Sequence, residues 1–121
     1  MASNDLLTQN IIEGILEKKG EEIVLLNLEK IDNSFCDYFI ICHAESNTQV
    51  DAITDSVRKK VKEELNINVH HTEGIGNSVW ILLDYNNVLV HIFQKQYRQL
   101  YKLEELWGDA DITKIEESFN Y

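Results

Sequence analysis

The sequence predicts an α/β domain of two layers, with helices packed on a mixed five-stranded sheet in the order αββαβββα. Three observations carry this reading. Val79 to Phe93 consists of two apolar, β-branched and aromatic runs about Tyr85-Asn86-Asn87, the pattern of a hairpin with a tight turn. Ser46-Asn47-Thr48-Gln49 is a capping box, and it opens a helix whose Val50, Ile53, Val57, Val61 and Leu65 form one apolar stripe. Short β-rich runs before and between these elements supply the remaining strands.

In chain order, Leu7, Ile11, Ile12, Ile15 and Leu16 predict a helix over 4–19. Lys18 and Lys19 suit its C-terminus, and Gly20 takes the C-cap position. Ile23 to Leu28 reads as a buried strand, Asp32-Asn33-Ser34 as a turn, and Asp37 to Cys42 as a strand antiparallel to the first. In the capping box, the Ser46 hydroxyl takes the amide of Gln49 and the Gln49 side chain reaches back. Asp51, Asp55, Lys59, Lys62 and Glu63 form a solvated face, and Asn66 ends the helix. Ile67 to Glu73 alternates as a third strand. If the second and third strands are parallel neighbours, the capped helix is their right-handed crossover. Residues 73–78 form a loop. After Phe93 comes a polar helix with Tyr97, Leu100 and Tyr101 on one side, then a cluster of Leu103, Leu106 and Trp107 ending at Gly108. The domain is placed at 1–108. The acidic stretch 109–121 is read as a tail, frayed or a short helix pinned by Ile112, Ile115 and Phe119.

Side chains alternate along a strand, and hairpin loops at 85–86 or 86–87 give registers two residues apart, so both predict the same faces. Val79, Ile81, Leu83, Tyr85, Val88, Val90 and Ile92 form the core side. Trp80, Leu82, Asp84, Leu89, His91 and Phe93 form the other. That second face is too apolar for a solvated surface and too polar for a deep core. Either a helix of the same chain covers it, or it is a recognition surface.

With 121 residues the chain is one domain long. Its formal net charge of −10 argues against gripping bare nucleic acid, whose phosphates would repel it, and suits a basic protein partner. No apolar run approaches the roughly 20 residues of a membrane span. The N-terminus lacks the charge and apolar pattern of a secretory signal, and Cys36 and Cys42 match no zinc or redox spacing, so a cytoplasmic location is expected.

The residues do not support catalysis. Gly74-x-Gly76 is too short for a dinucleotide fingerprint and precedes a strand, and there is no Walker-type Gly-Lys-Ser/Thr. His70 and His71 point to opposite faces of a strand and cannot share a metal. Asp84 and His91 share a face, where they suit a structural carboxylate–imidazole pair. No catalytic group, metal site or cofactor is therefore assigned. Trp80, Phe93, Tyr97, Tyr101 and Trp107 instead gather aromatic side chains of the kind that anchor interfaces, although they also suit cementing the last helix onto the hairpin.

Two stretches resemble the signatures of the ribosomal silencing factor (Iojap-like) family. One is Asp37-Tyr38-Phe39-Ile40-Ile41 with Ser46-Asn47, Gln49-Val50 and Ala52-Ile53. The other is Glu73-Gly74, Trp80, Leu83-Asp84-Tyr85, Val90-His91-Ile92-Phe93, Arg98, Tyr101, Leu103-Glu104, Leu106-Trp107 and Asp109-Ala110. The resemblance covers residues 6–110. It implies a nucleotidyltransferase-like fold without transferase activity, and binding to large-subunit ribosomal protein fourteen on the face where the small subunit docks. The bound factor would block subunit joining and quiet translation when nutrients are short. Trp80, Asp84, Tyr85, His91, Tyr97, Arg98, Tyr101 and Trp107 are the partner-binding residues expected around one docking surface, with no sequence-specific nucleic acid, no membrane, and a homodimer as a further form of the free factor. Two positions depart from the family pattern: His43-Ala44 stands where Ser-Gly is usual, and Asn86-Asn87 where Gly-Asp is usual. Asn86 can take the backbone conformation that Gly favours. The rival readings are a transferase-like enzyme that retains a metal site and a large-subunit assembly factor.

Overall fold

The structure, a computed structural model, describes residues 3–31, 36–108 and 110–115. Its elements are α1 (Ser3–Glu17), β1 (Glu21–Asn27), β2 (Tyr38–Ala44), α2 (Asn47–Leu65), β3 (His71–Glu73), β4 (Trp80–Asp84), β5 (Val88–Gln94), α3 (Lys95–Tyr101), α4 (Leu103–Leu106) and β6 (Asp111–Lys114). The sheet is mixed, as expected, but it has six strands in the order β3-β4-β5-β2-β1-β6. The sixth comes from the stretch read as a frayed or helical tail. Asp111, Ile112, Thr113 and Lys114 pair antiparallel with Asn27 to Val24, which satisfies the backbone of what would otherwise be the edge strand. The predicted turn at Asp32-Asn33-Ser34 lies outside the described residues, as do Asp109 and Phe119.

The parallel neighbour of β2 is also not the one expected. It is β5, with Tyr38 opposite Val88 and Ala44 opposite Gln94, whereas β3 lies at the far edge against β4. Burial explains the choice. β2 and β5 are covered on both faces and fill the sheet centre. The Ile67–Glu73 run is regular only at its last three residues, while Ile67 and Val69 pack against the core as irregular chain.

The hairpin takes the 86–87 register: Trp80 faces Phe93, Leu82 faces His91, and the Tyr85 amide bonds to the Val88 carbonyl. Asn86 takes φ +72, and its amide donates to Asp84 Oδ1 at 2.7 Å. The two faces separate as parity requires. Ile81, Leu83, Val90 and Ile92 join Ile11, Ile15, Ile53 and Val57 under α1 and α2. Trp80, Leu82, Leu89 and Phe93 join Leu26, Phe39 and Ile41 on the other side, beneath Tyr97, Leu103 and Trp107.

The layer of α1 and α2 fixes the sheet from behind. α1 ends in a Schellman motif, where Lys19 rather than Gly20 takes the left-handed position at φ +61; the Gly20 amide bonds to Ile15 and that of Lys19 to Leu16. Ser46 Oγ accepts the Gln49 amide at 3.1 Å, as the capping box predicts. Gln49 does not complete the box. Its Nε2 donates to the carbonyls of Lys18 and Lys19, which tie the end of α1 to the start of α2 more usefully than a local bond would. Further along, Gly14 lets the helices touch: a Cβ there would lie 2.9 Å from the Val57 Cα, and Ser56 Oγ donates to the Gly14 carbonyl at 2.7 Å. No helix among the described residues is long and apolar enough to cross a membrane.

Candidate partner-binding surface

The second sheet face is covered in its middle and open at its fringe. Trp80 is half-buried and stacks on Phe93, with ring centroids 4.9 Å apart and planes at 26°. Tyr101 lies over the same indole at 4.9 Å. Gly74 makes room beneath: at φ +85 its α-carbon passes so close to the Trp80 carbonyl that any Cβ would overlap it. Trp107 meets Phe39 edge-on at 5.6 Å, so it closes the middle of the face, in keeping with the cementing role.

The chain after β5 does not continue as a single helix. Lys102 takes φ +49, ends α3 and starts α4 in a new direction. The bend turns Tyr97 and Arg98 inward and leaves Leu100, Tyr101 and Leu106 at 68%, 52% and 76% exposure. Leu100 and Leu106 were not among the expected site residues. Helical spacing groups Leu100 with Tyr101, but without the break at Lys102 it gives no sign that both face solvent or that Leu106 does too. Glu104 and Glu105 stand in the first turn of α4 and add negative charge beside this apolar rim. Arg58, Lys59 and Lys62 gather instead around a cleft with Asn68 and Val69, on α2 and therefore on the other layer.

Of the eight expected site residues, the structure brings Trp80, Tyr97, Tyr101 and Trp107 together with His91 beneath them. Tyr85 is a correction. It is 6% exposed and belongs to the core under α1 and α2, as its parity required, so it cannot share a surface with Trp80. Its hydroxyl is buried without a hydrogen-bond partner among the described residues, and desolvation pushes its pKa up to about 12. Asp84 stands at the hairpin end and is occupied by the turn, where it accepts the Asn86 amide. The register sets Asp84 and His91 diagonally, Asp84 opposite Leu89 and His91 opposite Leu82, but among the described residues the two do not pair: Asp84 Oδ1 accepts the Asn86 amide and His91 Nδ1 the Trp80 indole N–H.

His91 is a buried structural group. Its Nδ1 accepts the Trp80 indole N–H at 3.1 Å, so the proton sits on Nε2, which has no partner among the described residues. Its ring packs edge-on against Phe39 at 4.7 Å, and burial lowers its pKa to about 4. The imidazole therefore stays neutral and fixes the indole orientation.

Arg98 is likewise buried, at 7% exposure. Its Nη1 donates to the Glu22 carbonyl at 2.7 Å and to His43 Nδ1 at 3.0 Å; Nε and Nη2 donate to the Glu104 carboxylate at 3.3 and 2.8 Å. His43, at the position set aside as a departure, is 3% exposed, and burial and then the Arg98 charge lower its pKa. Its Nε2 lies 3.3 Å from Glu21 Oε1 without the alignment of a hydrogen bond. Neither histidine joins a metal-binding group of three or more among the described residues.

Comparison with known proteins places the chain in a family. Residues 2–120 match the family described as "Ribosomal silencing factor during starvation". A relative from Halalkalibacterium halodurans, named ribosomal silencing factor RsfS, is 40% identical over 114 residues, covering 94% of this chain and 96% of the relative. The chloroplastic Iojap protein of Zea mays is 43% identical over 83 residues, or 69% of this chain and 35% of that protein. A crystal structure from Chromobacterium violaceum superposes with a TM-score of 0.81 at 30% identity, covering 97% of this chain and 92% of the other. The chain belongs to the ribosomal silencing factor family.

Proposed function

We propose that this chain silences translation by docking on the large ribosomal subunit, through ribosomal protein fourteen, so that its bulk excludes the small subunit. The observation that carries this reading is the exposed Tyr101 laid over the rigid Trp80–Phe93 stack, with Leu100 and Leu106 exposed on the same α3–α4 segment. Large apolar groups held in place lose little entropy on binding, and a water-excluding aromatic centre is where binding energy concentrates. The net charge of −10 supplies attraction to a basic ribosomal protein and repulsion from bare RNA.

Occupying a docking surface inhibits by sterics and mass action and needs no chemistry. The buried neutral histidines, both already engaged at Nδ1, suit a binding protein better than an enzyme, and a transferase-like architecture without transferase activity is part of the same reading. The factor acts in the cytoplasm under nutrient limitation, and a homodimer is a further form of the free protein.

The test is co-sedimentation with purified large subunits, joined ribosomes and isolated ribosomal protein fourteen, with Trp80→Ala and Tyr101→Ala beside the wild type. Wild type is expected with free large subunits and absent from joined ribosomes. Each anchor variant should lose about 2 kcal/mol of binding, roughly thirty-fold. If both variants stay folded by circular dichroism, bind as wild type and still block joining, the docking face lies elsewhere.

A further inference from the structure

We propose that Arg98 acts as a positioning residue, seated on His43, that sets the place of α3 and α4 and with them the exposed rim of the docking face. The proposal rests on the docking reading above for its consequence, but its geometry stands apart from it. Four of the five guanidinium N–H groups are engaged, through the four hydrogen bonds to Glu22, His43 and Glu104, and the side chain is 7% exposed. A residue so engaged and buried has little left to offer a partner. It does connect four elements: Glu22 is in β1, His43 in β2, Arg98 in α3 and Glu104 in α4.

Local structure is bent to receive it. β1 carries an irregularity between Glu21 and Val24, where Glu22 takes φ +47, and the Glu22 carbonyl there accepts from Nη1. Bulges re-aim groups in this way, and a non-glycine residue at positive φ persists where its surroundings hold it. On the other side, Nδ1 of His43 offers the lone pair that Nη1 needs, which fixes the proton of the neutral ring on Nε2. The Glu104 carboxylate takes a two-pronged bond from the same guanidinium, across the break at Lys102. α4 has only four residues and no side-chain N-cap, and its own backbone cannot hold it. The Arg98–Glu104 bond therefore joins the packing of Leu103 and Trp107 in holding α4 against α3.

Lysine at position 98 would keep the charge but could not reach Glu22, His43 and Glu104 together. Hydrogen exchange on the free protein reads the consequence without any ribosome. In Arg98→Lys, amides of residues 95–107 should exchange about ten-fold faster than wild type while β4 and β5 keep their protection. His43→Gln, whose side-chain carbonyl can still accept from Arg98, should keep wild-type protection, and His43→Leu, which has no acceptor, should move toward Arg98→Lys. Large-subunit binding should follow the same order, with about ten-fold loss in Arg98→Lys and retention in His43→Gln. Unchanged exchange across 95–107 in Arg98→Lys overturns the proposal, as does equal protection and binding in His43→Leu and wild type. Trp80→Ala, measured in parallel, separates the two readings. If it and Tyr101→Ala both bind as wild type the docking face is refuted, while the exchange result still decides the role of Arg98.

Discussion

Lowering the pH from 7 to 5 puts a proton on an exposed imidazole but should not put one on His91. Its ring lies between Phe39, Trp80 and Phe93, its Nδ1 lone pair is occupied by the Trp80 indole N–H, and burial lowers its pKa from 6.5 to about 4. The unfolded chain, with an ordinary imidazole, binds the proton first. Stability from this group is therefore complete above about pH 6.5, falls as the pH drops toward 4, and changes no further once both states are protonated. From those two values the loss at pH 5 is about 2 kcal/mol, rising to about 3 kcal/mol below pH 4. Other groups also respond to pH, so the decisive quantity is a difference. His91→Gln retains an acceptor for the indole and does not titrate. Urea denaturation of both proteins at pH 7 and pH 5 should show the wild type losing about 2 kcal/mol more than His91→Gln over that interval. A difference below about 0.5 kcal/mol would mean that His91 titrates as an exposed histidine, and the dry floor beneath Trp80 would be wrong.

Two further substitutions test the frame. Ser46→Ala removes the acceptor for the Gln49 amide and should cost on the order of 1 kcal/mol, read as a lower denaturant midpoint at unchanged slope; an unchanged midpoint would show that another group caps α2. Tyr85→Phe deletes a buried hydroxyl that has no partner among the described residues, so stability should hold or rise by up to about 1 kcal/mol and large-subunit binding should be unchanged; a marked loss of binding with the fold intact would return Tyr85 to the docking surface.

Local chemistry with a fixed period could be read directly from the sequence. Alternation assigned the hairpin residues to their faces, and Ser46 capped α2 where the Ser-x-x-Gln spacing predicted. Decisions that depend on competition between distant segments were not legible. Nothing in the Ile67–Glu73 run shows that β5 outbids it for the place beside β2, because that outcome depends on burying β5 on both faces. Residues 111–114 look like an acidic tail with two β-branched residues until β1 presents them with an unpaired edge. Gln49 likewise finds its partners only because α1 ends beside it.

The site shows the same limit more sharply, and for a physical reason. A residue type that can anchor a partner can equally fill a core, and sequence separates the two only through parity. For Tyr85 parity gave the right layer, although its aromatic character placed it among the expected anchors. For the helical stretch after β5, parity gives no help, because the break at Lys102 changes which side chains share a face. Arg98 becomes interior, Leu100 and Leu106 become exterior, and Tyr101 lies between the two over Trp80. The break in turn requires a clamp, since two short helices could not otherwise hold one arrangement. Its four hydrogen bonds come from His43, Glu22 and Glu104, which lie up to 82 positions apart in the chain (104 − 22). A rim of exposed leucine and tyrosine can bind tightly only if it is already ordered before the partner arrives. The polar cluster hidden behind it is what supplies that order, which is why the residue least available to a partner would govern how well the exposed ones perform.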